Sequence, residues 1–325
     1  LLPHTPLGGA KLGYVQRSLL FRLAWKFGIH LDTENVNNKL TSALHEVKPD
    51  LLWIEKGNMI YPDTLKNIRE ISPKTKIVSY SDDDMFNLLN RTRAFTKSLQ
   101  YYHMNFVTKS YNANNAELPV LGARHVMVVD KAFDPKQHYP IEITENEKII
   151  LGSDVSFIGT YAPERGKILQ YLGQNGIKVR VWGNGWENFI SQSRYLKIEY
   201  QPLVNHPENL LFTKGVVASK INLGFLRKVN RDLQTDRSIE IPACRGFMLT
   251  ERTDEHERLF VDDKEAVFFD NKEDLLKKIK YFLANDNQRE KIAHAGYNRC
   301  VSANYTHKNR MQFMLDAALS SNMLS

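Results

Sequence analysis

The amino-acid sequence predicts an α/β protein of two doubly wound lobes, and three observations carry that expectation. At 325 residues the chain is too long for one ordinary core and suits two lobes of roughly 150 residues each. Short apolar runs alternate with helix-period patterns in both halves, the signature of parallel strands joined by crossover helices. Between the halves, residues 131–150 interrupt the alternation with Pro135, Pro140 and a charged, irregular run, which sets the expected boundary at 145/146.

In the first lobe (1–145), Leu51-Leu52-Trp53-Ile54, Lys76-Ile77-Val78-Ser79-Tyr80, Asn105-Phe106-Val107-Thr108 and His125-Val126-Met127-Val128-Val129 read as buried strands. Apolar residues at helical spacing predict helices near 13–27, 35–47, 62–71 and 109–117. The chain opens on Leu1-Leu2-Pro3 instead of Met, so a first strand before Gly8-Gly9 is expected to be truncated. In the second lobe (146–325), Val155-Ser156-Phe157-Ile158, Val179-Arg180-Val181-Trp182, Ile221-Asn222-Leu223, Gly246-Phe247-Met248-Leu249 and Ala266-Val267-Phe268-Phe269 are the expected strands. Helices lie between them and three more follow residue 272, the last expected to pack back on the first lobe.

Composition excludes several classes. It is 42% hydrophobic and 25% charged, and no apolar run approaches the roughly 20 residues of a membrane span. The net charge of +7 is spread, about +3 before residue 150 and about +4 after it. A nucleic-acid binder would show a basic stripe with interleaved aromatics; a spread excess fits phosphorylated ligands or peripheral contact with an anionic membrane surface. Cys244 and Cys300, the only cysteines, lack CxxC spacing, which predicts a reducing, cytoplasmic setting, at most at the inner membrane face, and no structural zinc. There is no Walker A segment, GxSxG elbow or HExxH, and no metal or obligatory cofactor is expected.

Doubly wound lobes bind ligands outside the carboxyl ends of their strands, so the residues just after strands are the candidates. The segment from Phe157-Ile158-Gly159-Thr160-Tyr161 to Arg165 and Lys167 runs from strand to helix; helix-start N–H groups and a bidentate Arg165 suit a diphosphate, although a plain βα turn explains the segment equally. Trp182-Gly183-Asn184-Gly185-Trp186 offers close backbone approach and rings that stack on a base or sugar, or else a turn and a core plug. A helix beginning at Asp236-Arg237-Ser238 sets Glu240 among apolar residues with Arg237 on the same face, a ligand site or a structural ion pair. Thr250-Glu251 follows the next strand. Ser81-Asp82-Asp83-Asp84 can supply a base, orient a hydroxyl, or cap a helix at Met85-Phe86. The ten histidines are scattered; His4, ahead of Gly8-Gly9, is the one in a suggestive place.

Taken together, these segments resemble the glycosyltransferases related to the spore maturation protein CgeB, a branch of the GT-B superfamily. The carrying residues in the first lobe are Ile54-Glu55-Lys56-Gly57, Tyr80-Ser81-Asp82-Asp83, Phe106-Val107-Thr108-Lys109, Gly122-Ala123 and Ala132-Phe133-Asp134-Pro135. In the second they are Asp154 to Gly159 with Arg165, Gly183-Asn184-Gly185-Trp186, Ile221-Asn222-Leu223 and Arg237 to Cys244. Leu249-Thr250-Glu251, Glu257-Arg258-Leu259-Phe260 and the stretch Arg289 to Gly296 continue the likeness over nearly the whole chain.

The resemblance implies a GT-B fold, two Rossmann-like lobes facing a central cleft, with a nucleoside-diphosphate sugar as donor and a glycan or glycoconjugate hydroxyl as acceptor. It implies hexosyl or deoxyhexosyl transfer in cell-surface polysaccharide or glycoconjugate synthesis, of undetermined stereochemistry. Donor contacts would come from Gly159, Tyr161, Arg165, Gly183, Gly185, Trp186, Asn222, Arg237, Ser238, Glu240, Thr250 and Glu251. His4, Gly8, Gly9 and Lys56 would face the acceptor, with Asp82 or Asp83 as a base if the reaction inverts. Glu240 matches the second Glu of a Glu-x7-Glu pair that reaches the ribose; Asp232 stands at the first, and Arg245 stands where the family shows Gly. A non-catalytic nucleotide-sugar-binding protein and a nucleotide-sugar epimerase on the same scaffold are the alternatives.

Overall fold

A computed structural model describes Leu23 and residues 31–320. The chain divides into two compact units, one of residues 1–129 with 311–325, the other of residues 130–310.

The first unit runs α1 (Val36–Val47), β1 (Leu51–Glu55), α2 (Pro62–Ile71), β2 (Lys76–Ser81), α3 (Arg93–Ser98), β3 (Met104–Val107) and β4 (Val126–Val128). Its strands pair in parallel in the order β1-β2-β3-β4, with Leu51 opposite Lys76 and Val78 opposite Met104. The Asp32 carboxylate accepts from the Val36 and Asn37 amides at 2.8 and 2.9 Å and so starts α1. Pro62, with no N–H to lose, starts α2. Val36, Leu40, Leu44, Leu65 and Ile68 bury one face of each helix against Ile54 and Ile77.

The helix expected over 109–117 is only a 3-10 turn, Ser110–Ala113. Asn112 explains the difference: its Oδ1 accepts from the Met85 amide at 3.1 Å and its Nδ2 donates to Asp84 and Glu117, each at 2.9 Å. Those bonds compete with helical ones. No helix begins at Met85-Phe86 either; Asp84 accepts from the Phe86 amide within a turn, and the next helix waits for the Thr92 cap.

The second unit contains α4 (Glu145–Leu151), β5 (Ser153–Ile158), α5 (Pro163–Gln174), β6 (Val179–Trp182), β7 (Leu196–Ile198) and a short hairpin, β8 (Asn205–His206) with β9 (Asn209–Leu210). There follow α6 (Leu211–Ala218), β10 (Ser219–Gly224), α7 (Arg237–Ala243), β11 (Met248–Glu251), α8 (Asp254–Leu259), β12 (Val267–Phe269), α9 (Lys272–Ala284) and α10 (Asp286–Ser302), and then α11 (His307–Leu319), which from Met311 on belongs to the first unit. Six parallel strands lie in the order β7-β6-β5-β10-β11-β12. This is the dinucleotide-fold order, with two halves meeting at β5 and β10, although β6 and β7 are joined by residues 183–195 without a helix.

Residues 130–145 belong to the second unit, so the division falls at 129/130 and not at 145/146. Residues 130–144 have no named strand or helix of their own and are held by side chains: Gln234 accepts from the Lys131 amide at 2.9 Å, Thr213 donates to the Gln137 carbonyl at 2.6 Å, and Phe133 is buried with Phe212 and Phe260. Conversely, α11 carries Met314, Ala317 and Ala318 into the first unit's cluster with Val78, Met104, Phe106 and Val129.

Candidate functional site

The two halves of the second sheet meet between β5 and β10, and the loops leaving the carboxyl ends of those strands flank the switch point where the ligand crevice of a doubly wound sheet is expected. The β5 loop is tightly built. A Cβ on Gly159 would sit 2.6 Å from the Phe157 ring, and one on Gly183, whose φ is +155°, would sit 2.0 Å from the Gly159 carbonyl oxygen. Only glycine permits the loops after β5 and β6 to approach so closely. Gly185 (φ +81°) continues the turn, and the Tyr161 amide donates to the Asn184 carbonyl at 2.9 Å.

Arg165, in the first turn of α5, ties the two sides together. Its buried guanidinium donates to the Thr160 carbonyl at 2.8 Å and to the Phe225 carbonyl at 2.7 Å, over the Phe157 ring. Burial first, and then nearby Arg227, lower its pKa, but a guanidinium stays charged regardless. Its buried Nε has no hydrogen-bond partner among the described residues.

Carboxylates shape the β10 loop from beneath. Glu251 accepts from the Leu226 amide at 2.9 Å and pairs with Lys228; Asp232 accepts from the Arg227 amide at 3.3 Å and the Asn230 side chain at 2.8 Å. Arg227, Lys228 and Arg231 are left exposed on the loop. Sequence reasoning passed over these three cations, although their place after β10 was the available signal.

Behind the loop, α7 presents Arg237 and Glu240 one turn apart as an ion pair, with the Arg237 guanidinium 4.0 Å from the centre of the Phe212 ring. A third member was also passed over. His138 Nε2 lies 3.5 Å from Glu240, and its Nδ1 accepts from the Asp134 amide at 3.3 Å, which leaves the proton on Nε2, facing the carboxylate. Burial pulls the His138 pKa down and Glu240 opposes it. Ser238 donates to His256 Nε2 at 2.7 Å, and His256 Nδ1 donates to the Glu251 carbonyl at 2.7 Å. This chain connects the start of α7 to the residue that holds the β10 loop.

Residues 165–316 match the glycosyl transferase-like family. No curated protein sequence matches the chain. Among solved structures, sucrose-phosphate synthase of Thermosynechococcus elongatus superposes with a TM-score of 0.61 at 12% identity, over 97% of this chain and 81% of the other. HepE of Anabaena, in complex with UDP and glucose, gives 0.62 at 11% identity over 93% and 83%. A variant of TarM from S. aureus, in complex with Fondaparinux, alpha-GlcNAc-glycerol and UDP, gives 0.60 at 10% identity over 86% and 58%, so this chain spans little more than half of TarM. At such identities the likeness is one of fold, and that fold is GT-B.

Within residues 165–316, four residues expected at a donor are internal instead. Trp186 is fully buried, its indole N–H given to the Gly159 carbonyl at 3.0 Å and its ring packed edge-on to Tyr161 and Phe189, so it plugs the core and offers no stacking face. Asn222, buried in β10, accepts from Ser156 at 2.9 Å and donates to the Val216 carbonyl, clamping adjacent strands. Thr250 is buried and donates to the Gly224 carbonyl at 3.1 Å, and Ser238 is buried against His256. Arg245 takes the left-handed φ of 59° that favours glycine, but in the turn entering β11, at the opposite end of the strand from the crevice.

In the first unit, Lys56 and Asp83 leave β1 and β2 and form an ion pair of 2.5 Å, both partly exposed. Asp82 is exposed, and Thr108 donates to its carbonyl at 3.1 Å. Asp84 is turned wholly inward. His4, Gly8 and Gly9 lie outside the described residues. Among the described residues no group of three or more His, Cys, Asp or Glu could hold a metal, and no helix is long and apolar enough to cross a membrane.

Proposed function

We propose that this chain is a glycosyltransferase of CgeB-like type, moving a hexosyl or deoxyhexosyl group from a nucleoside-diphosphate sugar to a hydroxyl of a glycan or glycoconjugate. The observation that carries the reading is the switch point between β5 and β10, bridged by Arg165 and edged by exposed Arg227, Lys228 and Arg231. When the anomeric C–O bond breaks, the departing nucleoside diphosphate takes the electron pair, and preorganised cations lower that barrier. No metal is required for this step. Glu240, held from two sides by Arg237 and His138, is suited to anchor the ribose hydroxyls. If transfer inverts the anomeric centre, Asp82 or Asp83 takes the acceptor proton; if it retains, neither does. HepE and TarM were both crystallised with UDP, which favours a uridine donor among the nucleotides to try first.

The test is donor turnover over a panel of nucleotide sugars, with Glu240→Ala alongside. Turnover by the wild type and its loss in a folded Glu240→Ala protein is the expected result. No turnover with any donor, or an unaffected variant, overturns the reading. A thermal-shift screen of nucleoside diphosphates identifies the base, because a ligand that binds the native state raises its melting temperature.

A further inference from the structure

The second unit has another concavity, of about 710 Å3, at the amino ends of its strands. Lys178 enters β6, Lys220 lies at the start of β10, and Arg194 and Lys197 flank the start of β7; Lys148 of α4 and Arg180 of β6 complete the lining. Three carboxylates answer these six cations: Asp154 pairs with Lys220, Glu199 with Arg180 and Lys197, and Glu145 with Lys148. The excess concentrated here is nearly half of the chain's net charge of +7. Lys178 and Arg194 are exposed and make no salt bridge among the described residues. Arg194 donates to the Tyr195 hydroxyl at 3.1 Å, and with Lys178 it lowers that hydroxyl's pKa, a sign of the positive potential here.

Directly after Lys148, α4 exposes Ile149 and Ile150 at 78% and 52% of their surface. Isoleucines so exposed gain nothing from water, and they gain nothing from a polyanion in solution. Next in the chain to Lys148, one of those cations, they nonetheless suit a surface that is anionic outside and apolar beneath. Nucleic acid fits less well, because Tyr195 is the one aromatic side chain in the lining.

We propose that this face docks the protein on an anionic lipid bilayer, with the cations meeting headgroup phosphates and Ile149 and Ile150 entering the interface. β5 is six residues long, so the crevice at the other end of the sheet would stand about 20 Å from the lipid. The docking face shares no residue with the crevice and does not depend on the reaction proposed for it.

Flotation of the full chain with vesicles tests the proposal. The wild type is expected to float with phosphatidylglycerol-containing vesicles, to stay behind with pure phosphatidylcholine, and to release as salt rises. Lys178→Glu with Arg194→Glu should cut partitioning about 25-fold or more, since each basic residue near such a surface contributes about fivefold. Ile149→Ser with Ile150→Ser should remove whatever binding survives at high salt. Both double variants should keep the wild-type melting temperature. No flotation of the wild type, flotation unchanged by the charge reversals, or binding to duplex DNA without binding to vesicles would each overturn the proposal.

Discussion

The carboxyl ends of the two sheets are furnished in opposite ways. In the second unit, at β5 and β10, the polar side chains are mostly committed inward: Arg165 to two carbonyls, Glu251 to an amide and a lysine, Ser238 to His256, Thr250 to Gly224. In the first unit, Lys56, Asp82 and Asp83 stand at the ends of β1 and β2 at least partly open to water. A site for a highly charged ligand needs backbone and cations fixed beforehand, because order already present in the protein is not charged against binding. A hydroxyl acceptor asks for less. On the proposed function, the polar groups in the second unit would serve mainly as the frame on which Arg227, Lys228, Arg237 and Glu240 are presented.

If the contrast is right, substitutions in the second unit should cost stability and those in the first should not. The largest effect is expected at Trp186→Ala, about 3–5 kcal/mol of unfolding free energy for a buried aromatic deleted from the core, read by denaturant titration. A cost below about 1 kcal/mol would return Trp186 to the role of an open platform. Arg165→Met keeps the packed stem but leaves two carbonyls unanswered; about 2–3 kcal/mol of stability should go, together with nucleoside-diphosphate affinity. Arg237→Ala should weaken that affinity by about 1.5–3 kcal/mol in calorimetry, the range for a charged hydrogen bond, and unchanged affinity would remove Arg237 from the donor site.

Acid should act on both units in the same direction. Burial, with Arg69 and Lys76 nearby, pulls the His103 pKa down to about 4, and burial likewise lowers His256. A histidine depressed on folding binds its proton more readily when unfolded. Its contribution is complete above about pH 6.5 and is lost as pH falls toward the folded value. Stability should therefore decline between about pH 6.5 and 4, and NMR titration of His103 should show it uncharged through most of that window. The smallest effect is expected at Lys56→Ala: for so exposed a pair, no more than about 1 kcal/mol of stability. Acceptor transfer should fall while donor hydrolysis persists. Loss of both together would show that the first unit's end is framed as rigidly as the second's.

Much of the fold was legible because strands buried on both faces read as apolar runs. Lys76 to Tyr80 and Val179 to Trp182 are such cases, and Pro62 marked its helix start outright. What could not be read depends on partners distant in the chain. Asn112 diverts a helical pattern only because Asp84 and Met85 are beside it. Strand β7, three residues with Lys197 in the middle, has too little pattern to stand out. In the candidate site, Arg165, Arg237 and Glu240 could be chosen by residue type and by their place after strands. Whether Trp186 packs or stacks is decided by Tyr161, Phe189 and the Gly159 carbonyl, and His138 gains meaning only where Glu240 meets it.

The meeting of β5 and β10 also bears on how the second unit assembles. Ser156 and Asn222, hydrogen-bonded at the centre of the sheet, are 66 residues apart, and Arg165 reaches a carbonyl 60 residues on. Pairings of such separation close late, since the entropy of the intervening loop must be overcome before the contact repays it. A nascent chain that has reached only β7 can pair β5, β6 and β7, but its Arg165 has no Phe225 carbonyl to grip. The crevice is thus among the last features to appear, and refolding followed through nucleotide binding should lag behind refolding followed through Trp182 and Trp186 fluorescence.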